Sequence, residues 1–458
     1  MGANRLRDQK RKEFRPIIDH KQMTPTPLPQ SQALSEKQYE VFLNDLCVNA
    51  LQRAYDPNGQ GILSGSRELD NLCSQAAEAI DADFPLAEPQ ARSHEDLTIY
   101  IATDLFFGRG GHTPLLLDLI KVDHSSQREL ILTRTGSPPN SQGFAAQLRE
   151  ALPANVKASE LQADTLLQKV LILRSYIHAR RPKRLVLVSH QHDVVAYCAI
   201  TRSSADQILY IHHADTFTLG LYIPWYTVVG TNVFGVQAVA DMTGRPMFCW
   251  PVASEDHGAR PWLDWEPGQD LTTCSHGTAR KFDSDAGLDY ADILLKRLKM
   301  LPGTHIHMGE LSVERRQNIA ATISAAGLDP ARFIYVGTVP VLWKYLQHSK
   351  IQLCISSFPV CSPRGLVETK GCAIPILIFE DTNNPTRSSA HYGYPGCLTW
   401  RNIGELEQAF RTITPDMLAA QSKLARVSFD KSHSLKSLEM HANLSFNYIT
   451  PSRVQVQR

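Results

Sequence analysis

The sequence predicts an α/β protein that contains two doubly wound, Rossmann-like domains and an N-terminal helical appendage. The chain has 458 residues, which at roughly 150 residues per domain is too long for one core. Short apolar runs alternate with helical stretches from Leu97 onwards, the pattern of βαβ units and a parallel sheet. A stretch rich in Pro, Gly and acidic residues, 254–270, interrupts this alternation once. We therefore expect two domains joined by a linker.

The pattern divides the chain into five segments. Residues 1–34 are predicted as a flexible basic arm, 35–92 as the helical appendage, 93–255 as the first Rossmann-like domain, 256–412 as the second, and 413–458 as C-terminal helices. The predicted strands are 97–102, 129–133, 184–188, 208–212 and 246–250 in the first domain, and 271–273, 305–308, 333–336, 351–355 and 374–379 in the second.

The first two segments contain different signals. Basic residues and a Pro-rich run in the arm indicate either a solvated tail or a weak contact with a membrane surface or an acidic partner. In the appendage, Ser35 and Gln38 form a capping-box pattern. Apolar residues at helical spacing follow them, and a second apolar stripe covers 69–80. We therefore expect two helices here.

Composition excludes several function classes. Hydrophobic residues make up 43% of the chain and charged residues 20%, which is typical of a folded globular enzyme. Lys and Arg total 47 against 46 acidic residues, so no global field attracts nucleic acid. The nine cysteines show no C-x-x-C spacing, which favours reduced thiols in a cytosol. No run of about 18 apolar residues and no secretory signal are present, so we expect a cytoplasmic protein without a membrane span.

Two histidine-bearing segments follow strands of the first domain. A Gly-rich turn after strand 97–102 leads to His112 at the start of a helix. Such a turn admits a ligand close to the backbone, and an imidazole there is suited to general base catalysis. After strand 208–212, His213 and Asp215 are candidates for contacts with ligand hydroxyls. The alternatives are that His112 caps its helix and that His213 is bonded to backbone at the end of a buried strand.

Two segments of the second domain suit an anionic ligand. Small residues from Thr273 onwards lead to the basic pair Arg280 and Lys281, for which a solvated pair is the alternative. Residues 354–375 read as strand, loop, helix, Gly and strand, with Glu368 on the helix. The pair His305 and His307 is interpreted as structural, because the sequence indicates no third metal ligand.

These segments resemble bacterial GT-B glycosyltransferases related to family 41, which includes the O-GlcNAc transferases and the cytosolic N-glycosyltransferases. The segment from His213 is similar to their His-Ala-Asp-His-x-Phe-x-Leu-Gly pattern, with Thr216 in place of the second His. The segment 354–375 is similar to their Ser-Phe-Pro-Phe-Gly loop and following helix, with departures at 361–363. The resemblance covers roughly 97–400 and is clearest over 273–375.

The resemblance implies transfer of a sugar from a nucleotide diphosphate sugar, with UDP favoured, to a protein or glycan acceptor. It implies catalytic roles for His112, His213 and Asp215, with either histidine as the base. It also implies that the C-terminal helices pack back on the first domain, and that neither a metal ion nor another cofactor is required. Retaining enzymes of this fold often have an acid eight positions before the helix acid, where this chain has Val360, so inversion is favoured.

The donor site implied by the resemblance lies in the second domain. Lys281, with Arg280 beside it, meets the diphosphate, the loop amides before the helix contact the same group, and Glu368 binds the ribose hydroxyls. The predicted donor-binding residues are Thr273, Ser275, Arg280, Lys281, Gly337, Phe358, Ser362, Arg364, Gly365 and Glu368. Two other functions remain open at this point: a nucleotide-sugar 2-epimerase of similar layout, and a non-catalytic scaffold that keeps the fold.

Overall fold

The structure is a computed structural model that describes residues 34–56, 59, 62–87, 94–108, 110–137, 143–214, 216–282 and 287–448. The predicted basic arm lies outside these ranges apart from Leu34, and so does Asp215. Among the helices of the described ranges, none combines the length and apolar character needed to cross a bilayer.

The first sheet has seven parallel strands in the order β3-β2-β1-β4-β5-β6-β7. The strands are β1 (His94–Ala102), β2 (Gln127–Leu132), β3 (Val156–Glu160), β4 (Pro182–Leu187), β5 (Gln207–His212), β6 (Thr227–Gly230) and β7 (Phe248–Cys249). The helices up to the end of this sheet are α1 (Glu36–Ala54), α2 (Arg67–Asp83), α3 (His112–Val122), α4 (Phe144–Ala151), α5 (Leu166–Arg180), α6 (Val194–Ala199) and α7 (Val233–Thr243).

The second sheet has six parallel strands in the order β10-β9-β8-β11-β12-β13. The strands are β8 (Thr273–His276), β9 (His305–Met308), β10 (Phe333–Gly337), β11 (Leu353–Ile355), β12 (Ile376–Phe379) and β13 (Leu398–Trp400). The helices are α8 (Tyr290–Met300), α9 (Val313–Ala325), α10 (Leu342–His348), α11 (Pro363–Gly371), α12 (Ile403–Thr412), α13 (Pro415–Ser432) and α14 (Leu435–Tyr448). Short 3₁₀ turns cover Ala279–Lys281, Pro330–Arg332, Pro385–Arg387 and Ser389–Tyr392.

Both sheets are doubly wound, as the sequence predicts. In each sheet the chain starts in the middle, winds to one edge, returns and winds to the other edge. The direction reverses between β1 and β4 in the first sheet and between β8 and β11 in the second. Ligands of open parallel sheets bind beyond the carboxyl ends of the strands at such reversal points. The loops after these four strands are therefore the first place to look for a site.

The strand predictions are correct in outline and wrong at particular places. All ten predicted strands overlap an observed one, but β3, β6 and β13 were not predicted. The strand β3 lies at the sheet edge with three exposed residues, so it lacks an apolar run. The prediction for 271–273 is displaced, because β8 runs from Thr273 to His276. These polar residues are buried inside the sheet, where an apolar pattern would be expected.

The helical appendage shares the core of the first domain. Side chains of α1 and α2, including Leu43 and Leu69, belong to the same buried cluster as Tyr197 and Tyr210. Ser35 N donates to Gln38 Oε1 at 2.9 Å, one of the two reciprocal bonds of a capping box. The appendage is thus packed on the domain that follows it.

A buried carboxylate fixes the appendage to the loop after β5. Asp70 of α2 accepts hydrogen bonds from Gly220 N at 2.7 Å and from Tyr222 N at 2.8 Å. Burial raises the pKa of Asp70 to about 7, although these two N–H donors oppose the shift. The appendage therefore holds the far end of the segment that begins at His213.

The C-terminal helices connect the two domains. Helix α13 packs against α11, and α14 packs against α3. Leu438 and Ala442 of α14 enter the core cluster that contains Trp250. Trp250 Nε1 also donates to Ser445 Oγ at 2.9 Å. The last two helices thus span both halves of the molecule.

Candidate functional site

The Gly-rich loop of the first domain lies against the first turn of α11 in the second. A Cβ atom built on Gly111 would be 3.9 Å from Cβ of Arg364. Gly111 precedes α3 directly, and Arg364 is the second residue of α11. The two loops at the reversal points of the sheets therefore meet where the two domains face each other, and this region is called the cleft below.

His112 is the first residue of α3 and has one ring nitrogen committed to the backbone. Its Nε2 lies 2.6 Å from Val188 O, so Nε2 carries the proton and donates it. Its Nδ1 is buried and has no hydrogen-bond partner among the described residues. Burial lowers the pKa of His112. The ring is therefore neutral near neutral pH, with an available lone pair on Nδ1.

Two further histidines lie beside His112, and a third lies next to one of them. The ring centroids of His190 and His213 lie 4.7 and 4.8 Å from that of His112, and His192 lies 5.9 Å from His190. Burial, followed by the neighbouring imidazoles, lowers the pKa of His190 to about 2. These neighbouring rings disfavour a positive charge on His190, so His190 is neutral near neutral pH.

Sequence reasoning missed His190 and His192, although they follow β4 at the reversal point. His190 stacks on Phe106 with a centroid distance of 5.6 Å and an interplanar angle of 3°. The signal was available in the Ser-His-Gln-His-Asp run that begins at Ser189. That run can be placed beside His112 only once β1 and β4 are known to be neighbours.

Asp193 is a second residue that sequence reasoning missed, and it organises the loop ends. It is fully buried and accepts hydrogen bonds from the hydroxyls of Thr103, Thr133 and Thr135, each at 2.7 Å. It also accepts from Ala196 N at the start of α6. One carboxylate thus ties together the carboxyl ends of β1 and β2 and the helix after β4.

The segment from His213 is only partly described, since Asp215 lies outside the described residues. His213 Nδ1 is 3.2 Å from Ile211 O. Thr216, which replaces the second histidine of the family pattern, is buried and lies 3.4 Å from Gln191 Nε2. The described part of this segment thus reaches the loop after β4.

Thr273 and Ser275 both lie within β8, whereas the predicted strand 271–273 ends at Thr273. Thr273 Oγ1 accepts from Arg297 Nε at 2.8 Å and lies 2.9 Å from His305 Nδ1. Ser275 Oγ donates to Ile355 O on β11 at 2.8 Å. Both side chains are fully buried. They hold the sheet together and do not project into the cleft.

The turn after β8 begins at Gly277, where three strand ends meet through glycines. Gly309 N donates to Gly337 O at 2.8 Å. A Cβ atom on Gly309, whose φ is 133°, would overlap the carbonyl group of Gly277. The predicted cations come next: Arg280 is exposed, and Lys281 is partly exposed at the end of the 3₁₀ turn.

The loop before α11 contains both core and cleft residues. Phe358 is fully buried, with its ring centroid 5.3 Å from Trp400 and 5.7 Å from Phe282. Ser362 is the N-cap of α11 and is partly exposed. Gly365 packs against His276 so closely that a Cβ atom would overlap the imidazole ring. Gly365 is itself buried, so the absence of its side chain lets the His276 ring pack directly on the first turn of α11.

Arg364 and Glu368 form a charged pair on the cleft face of α11. Arg364 Nε donates to Glu368 Oε1 at 2.8 Å. Its Nη1 donates to Asp118 Oδ2 on α3 and to Ala253 O. Glu368 Oε2 accepts from Trp343 N at 3.2 Å. The guanidinium group is thus bound by protein acceptors from both domains.

The structure therefore groups the predicted site residues unevenly. His112 and His213 lie together, and Arg364 and Glu368 lie at the cleft, whereas Gly365 is buried against His276. Thr273, Ser275 and Phe358 point into the second core instead. The pair His305 and His307 is buried and lies within 3.2 Å of Tyr290 Oη. Within the part of the chain that the structure describes, no group of three or more His, Cys, Asp or Glu side chains is arranged so that it could hold a metal ion.

The fold is similar to that of several solved glycosyltransferases. A variant of the O-GlcNAc transferase from Thermobaculum terrenum is 13% identical, with a TM-score of 0.55 over 89% of this chain and 77% of that one. The Anabaena protein HepE, solved in complex with UDP, is 14% identical, with a TM-score of 0.56 over 77% of this chain and 100% of that one. A glycosyltransferase from Rickettsia africae is 11% identical, with a TM-score of 0.58 over 77% of this chain and 98% of that one. No protein-family model and no curated protein matches the sequence.

The two doubly wound parallel sheets, together with the similarity to these solved structures, identify the GT-B fold. Within that fold, the chain resembles the O-GlcNAc transferases and other glycosyltransferases that work from this architecture.

Proposed function

We propose that this protein is a glycosyltransferase that moves a sugar from a UDP-sugar to a protein or glycan acceptor. The observation that carries the proposal is the contact between the two reversal points, where the loop before His112 meets the first turn of α11. The Anabaena neighbour with this fold has been solved with UDP and with UDP-glucose. A donor at α11 would lie opposite a candidate base.

His112 is the base in this proposal. The Val188 carbonyl holds the Nε2–H and fixes the tautomer and the orientation of the ring, as the third member of a catalytic triad does. Nδ1 accepts the proton of the acceptor hydroxyl or amide. The freed oxygen or nitrogen attacks the anomeric carbon, while the bond from that carbon to the diphosphate oxygen breaks and its electron pair leaves with UDP. One such displacement inverts the anomeric centre.

The leaving diphosphate is stabilised by the second domain. Pro363 occupies the first position of α11, so the first N–H groups that lack a helical acceptor belong to Arg364 and Gly365. Helix N-termini of this kind bind phosphate oxygens. Lys281 and Arg280 add positive charge from the turn after β8. These groups together supply the charge stabilisation that a metal ion provides in other enzymes.

The remaining donor contacts follow from the same arrangement. Glu368 has carboxylate lone pairs left after it accepts from Arg364 and Trp343, and these bind the two ribose hydroxyls. Gly337, with a φ of 78° at the end of β10, lies beside the uracil. Asp215 and His213 contact the acceptor in this scheme.

Nucleotide binding followed by transfer tests the proposal. We expect UDP to raise the melting temperature of the full chain above that in buffer, and a UDP-sugar panel to give transfer to peptide or glycan acceptors. His112→Ala is expected to lower kcat by roughly 10²- to 10⁴-fold with unchanged UDP affinity, whereas Lys281→Ala weakens UDP binding. Full transfer by both variants would refute the scheme, and epimerised sugar formed from donor alone would indicate a 2-epimerase.

The pH dependence of transfer gives an independent check on the base. Because burial lowers the pKa of His112 below its ordinary value of 6.5, the neutral ring predominates at that pH. We therefore expect the acid limb of kcat/KM to have its midpoint below pH 6.5. An acid limb centred above pH 6.5 would show that another group accepts the proton.

A further inference from the structure

The contact between Arg364 and Asp118 joins α11, the helix at the proposed donor site, to the first domain. Arg364 lies in the first turn of α11, and Asp118 lies in the middle of α3. The arginine uses Nη1 for Asp118 and for the carbonyl of Ala253, and Nε for Glu368. One planar guanidinium therefore bridges a carboxylate of the first domain and a carboxylate of the second.

The three charged groups are largely removed from water. The side chain of Asp118 is 5% exposed, that of Arg364 19% and that of Glu368 14%. Burial raises the pKa of Asp118, and Arg364 opposes that shift. Removing one partner of such a group leaves an uncompensated buried charge, which is much more costly than loss of a surface ion pair. The arrangement is thus expected to resist separation of the domains.

Glu368 is oriented from two sides. Arg364 Nε donates to Oε1, and the backbone N–H of Trp343, at the start of α10, donates to Oε2. The first of these contacts depends on where Arg364 lies, and Arg364 is held by Asp118. A carboxylate accepts about four hydrogen bonds, so Glu368 keeps capacity for a ligand diol while its direction is fixed.

We propose that Asp118 is a positioning residue of the donor site: it holds Arg364 from the first domain and so orients Glu368 towards the nucleotide ribose. Nucleotide binding is then coupled to contact between the two domains, although Asp118 itself does not touch the nucleotide. The inference rests on the proposed function, because it assigns the ribose to Glu368.

A double-mutant cycle on the full chain tests the coupling, with UDP as the probe and isothermal titration calorimetry as the measurement. We expect Asp118→Asn and Glu368→Gln each to weaken UDP binding about tenfold. If Asp118 acts through Glu368, the double variant binds UDP no more weakly than Glu368→Gln alone. Losses that multiply in the double variant would overturn the coupling.

The matched control is Glu129→Gln. Glu129 lies on β2, its side chain is 5% exposed, and it pairs with Arg180 at 2.6 Å within the first domain. This variant should bind UDP as the wild type does. If Glu129→Gln weakened UDP binding as much as Asp118→Asn does, the effect of Asp118→Asn would be a general loss of stability, which overturns the proposal.

Small-angle X-ray scattering should show a larger radius of gyration for Asp118→Asn without nucleotide, and an unchanged radius would also overturn the proposal. If the wild type fails to bind UDP, the proposed function fails together with the coupling, whereas multiplicative losses reject the coupling alone.

Discussion

The carboxyl ends of the strands are built differently in the two sheets, although both sheets are doubly wound. In the first domain, one buried carboxylate, Asp193, collects three threonine hydroxyls and holds the loops that contain the histidines. In the second domain, the strand ends meet through Gly277, Gly309 and Gly337, and Gly365 packs on an imidazole. Polar side chains therefore shape the strand ends of the first domain, whereas the absence of side chains shapes those of the second.

This difference fits the chemistry proposed for each half. A base must be held in one tautomer and one direction, which requires hydrogen bonds to side chains and carbonyls. A diphosphate is bound through backbone N–H groups and a helix terminus, which requires that the ligand approach the backbone closely. We expect substitutions in the two halves to fail for different physical reasons.

The largest effect is expected for Asp193→Ala in the first domain. The change leaves three buried hydroxyls without their acceptor and removes the N-cap of α6. The free energy of unfolding should fall by about 4 kcal/mol, measured by urea denaturation. Asp193→Asn is the control, because its amide oxygen still accepts and the loss should be clearly smaller. Equal losses would mean that volume, not hydrogen bonding, holds these loops.

A smaller loss is expected for Gly309→Ala in the second domain. The new methyl group overlaps the Gly277 carbonyl, and the backbone has a φ of 133°, so the turn that leads to Lys281 must shift. Stability should fall by about 3 kcal/mol, and UDP affinity should fall with it. Gly396→Ala is the matched control: it has a φ of 79° but nothing within 4 Å of the added atom. A similar loss of stability in both variants would show that backbone strain alone, and not the overlap with the Gly277 carbonyl, causes it.

The link between the appendage and the loop after β5 can be tested by pH. Asp70 has a pKa of about 7 in the folded chain against 3.8 as its ordinary value. Between these pH values the folded state holds a proton that the unfolded state has released, so stability falls as pH rises, by at most roughly 1.4 kcal/mol per pH unit. Asp70→Asn should remove this slope from urea titrations. Asp81→Asn is the matched control, because Asp81 lies on the same helix with its side chain 54% exposed; loss of the slope in that variant as well would mean that Asp70 is not its source.

The sequence predicts the two doubly wound sheets because most of their strands contain apolar runs that alternate regularly with helical stretches. It does not reveal β3, whose residues are mostly exposed, or the true extent of β8, whose polar side chains are buried. Neither strand contains an apolar run, so the pattern of apolar runs does not show where these two strands begin and end.

The candidate site is less accessible to sequence reasoning than the fold. His112 and Glu368 were found from local patterns and a family resemblance. The partner of Arg364 lies 246 residues earlier in the chain, and His190 meets His112 only because β1 and β4 are neighbours. Contacts of this kind depend on tertiary structure, and no local pattern contains them.

The smallest effect is expected for Ser275→Ala in the second domain, and it tests whether side chains or backbone of that domain contact the nucleotide. Ser275 was predicted as a donor-binding residue, but its hydroxyl donates to Ile355 O inside the sheet. Ser275→Ala should therefore lower the free energy of unfolding by about 1 kcal/mol and leave UDP affinity unchanged. Ser362→Ala is the comparison, because Ser362 is partly exposed at the start of α11 and should weaken UDP binding without a comparable loss of stability. A large loss of UDP affinity in Ser275→Ala with normal stability would show that a side chain of β8 reaches the nucleotide. The proposed donor site would then depend on side chains of β8, and not on the backbone contacts that the glycines of the second domain permit.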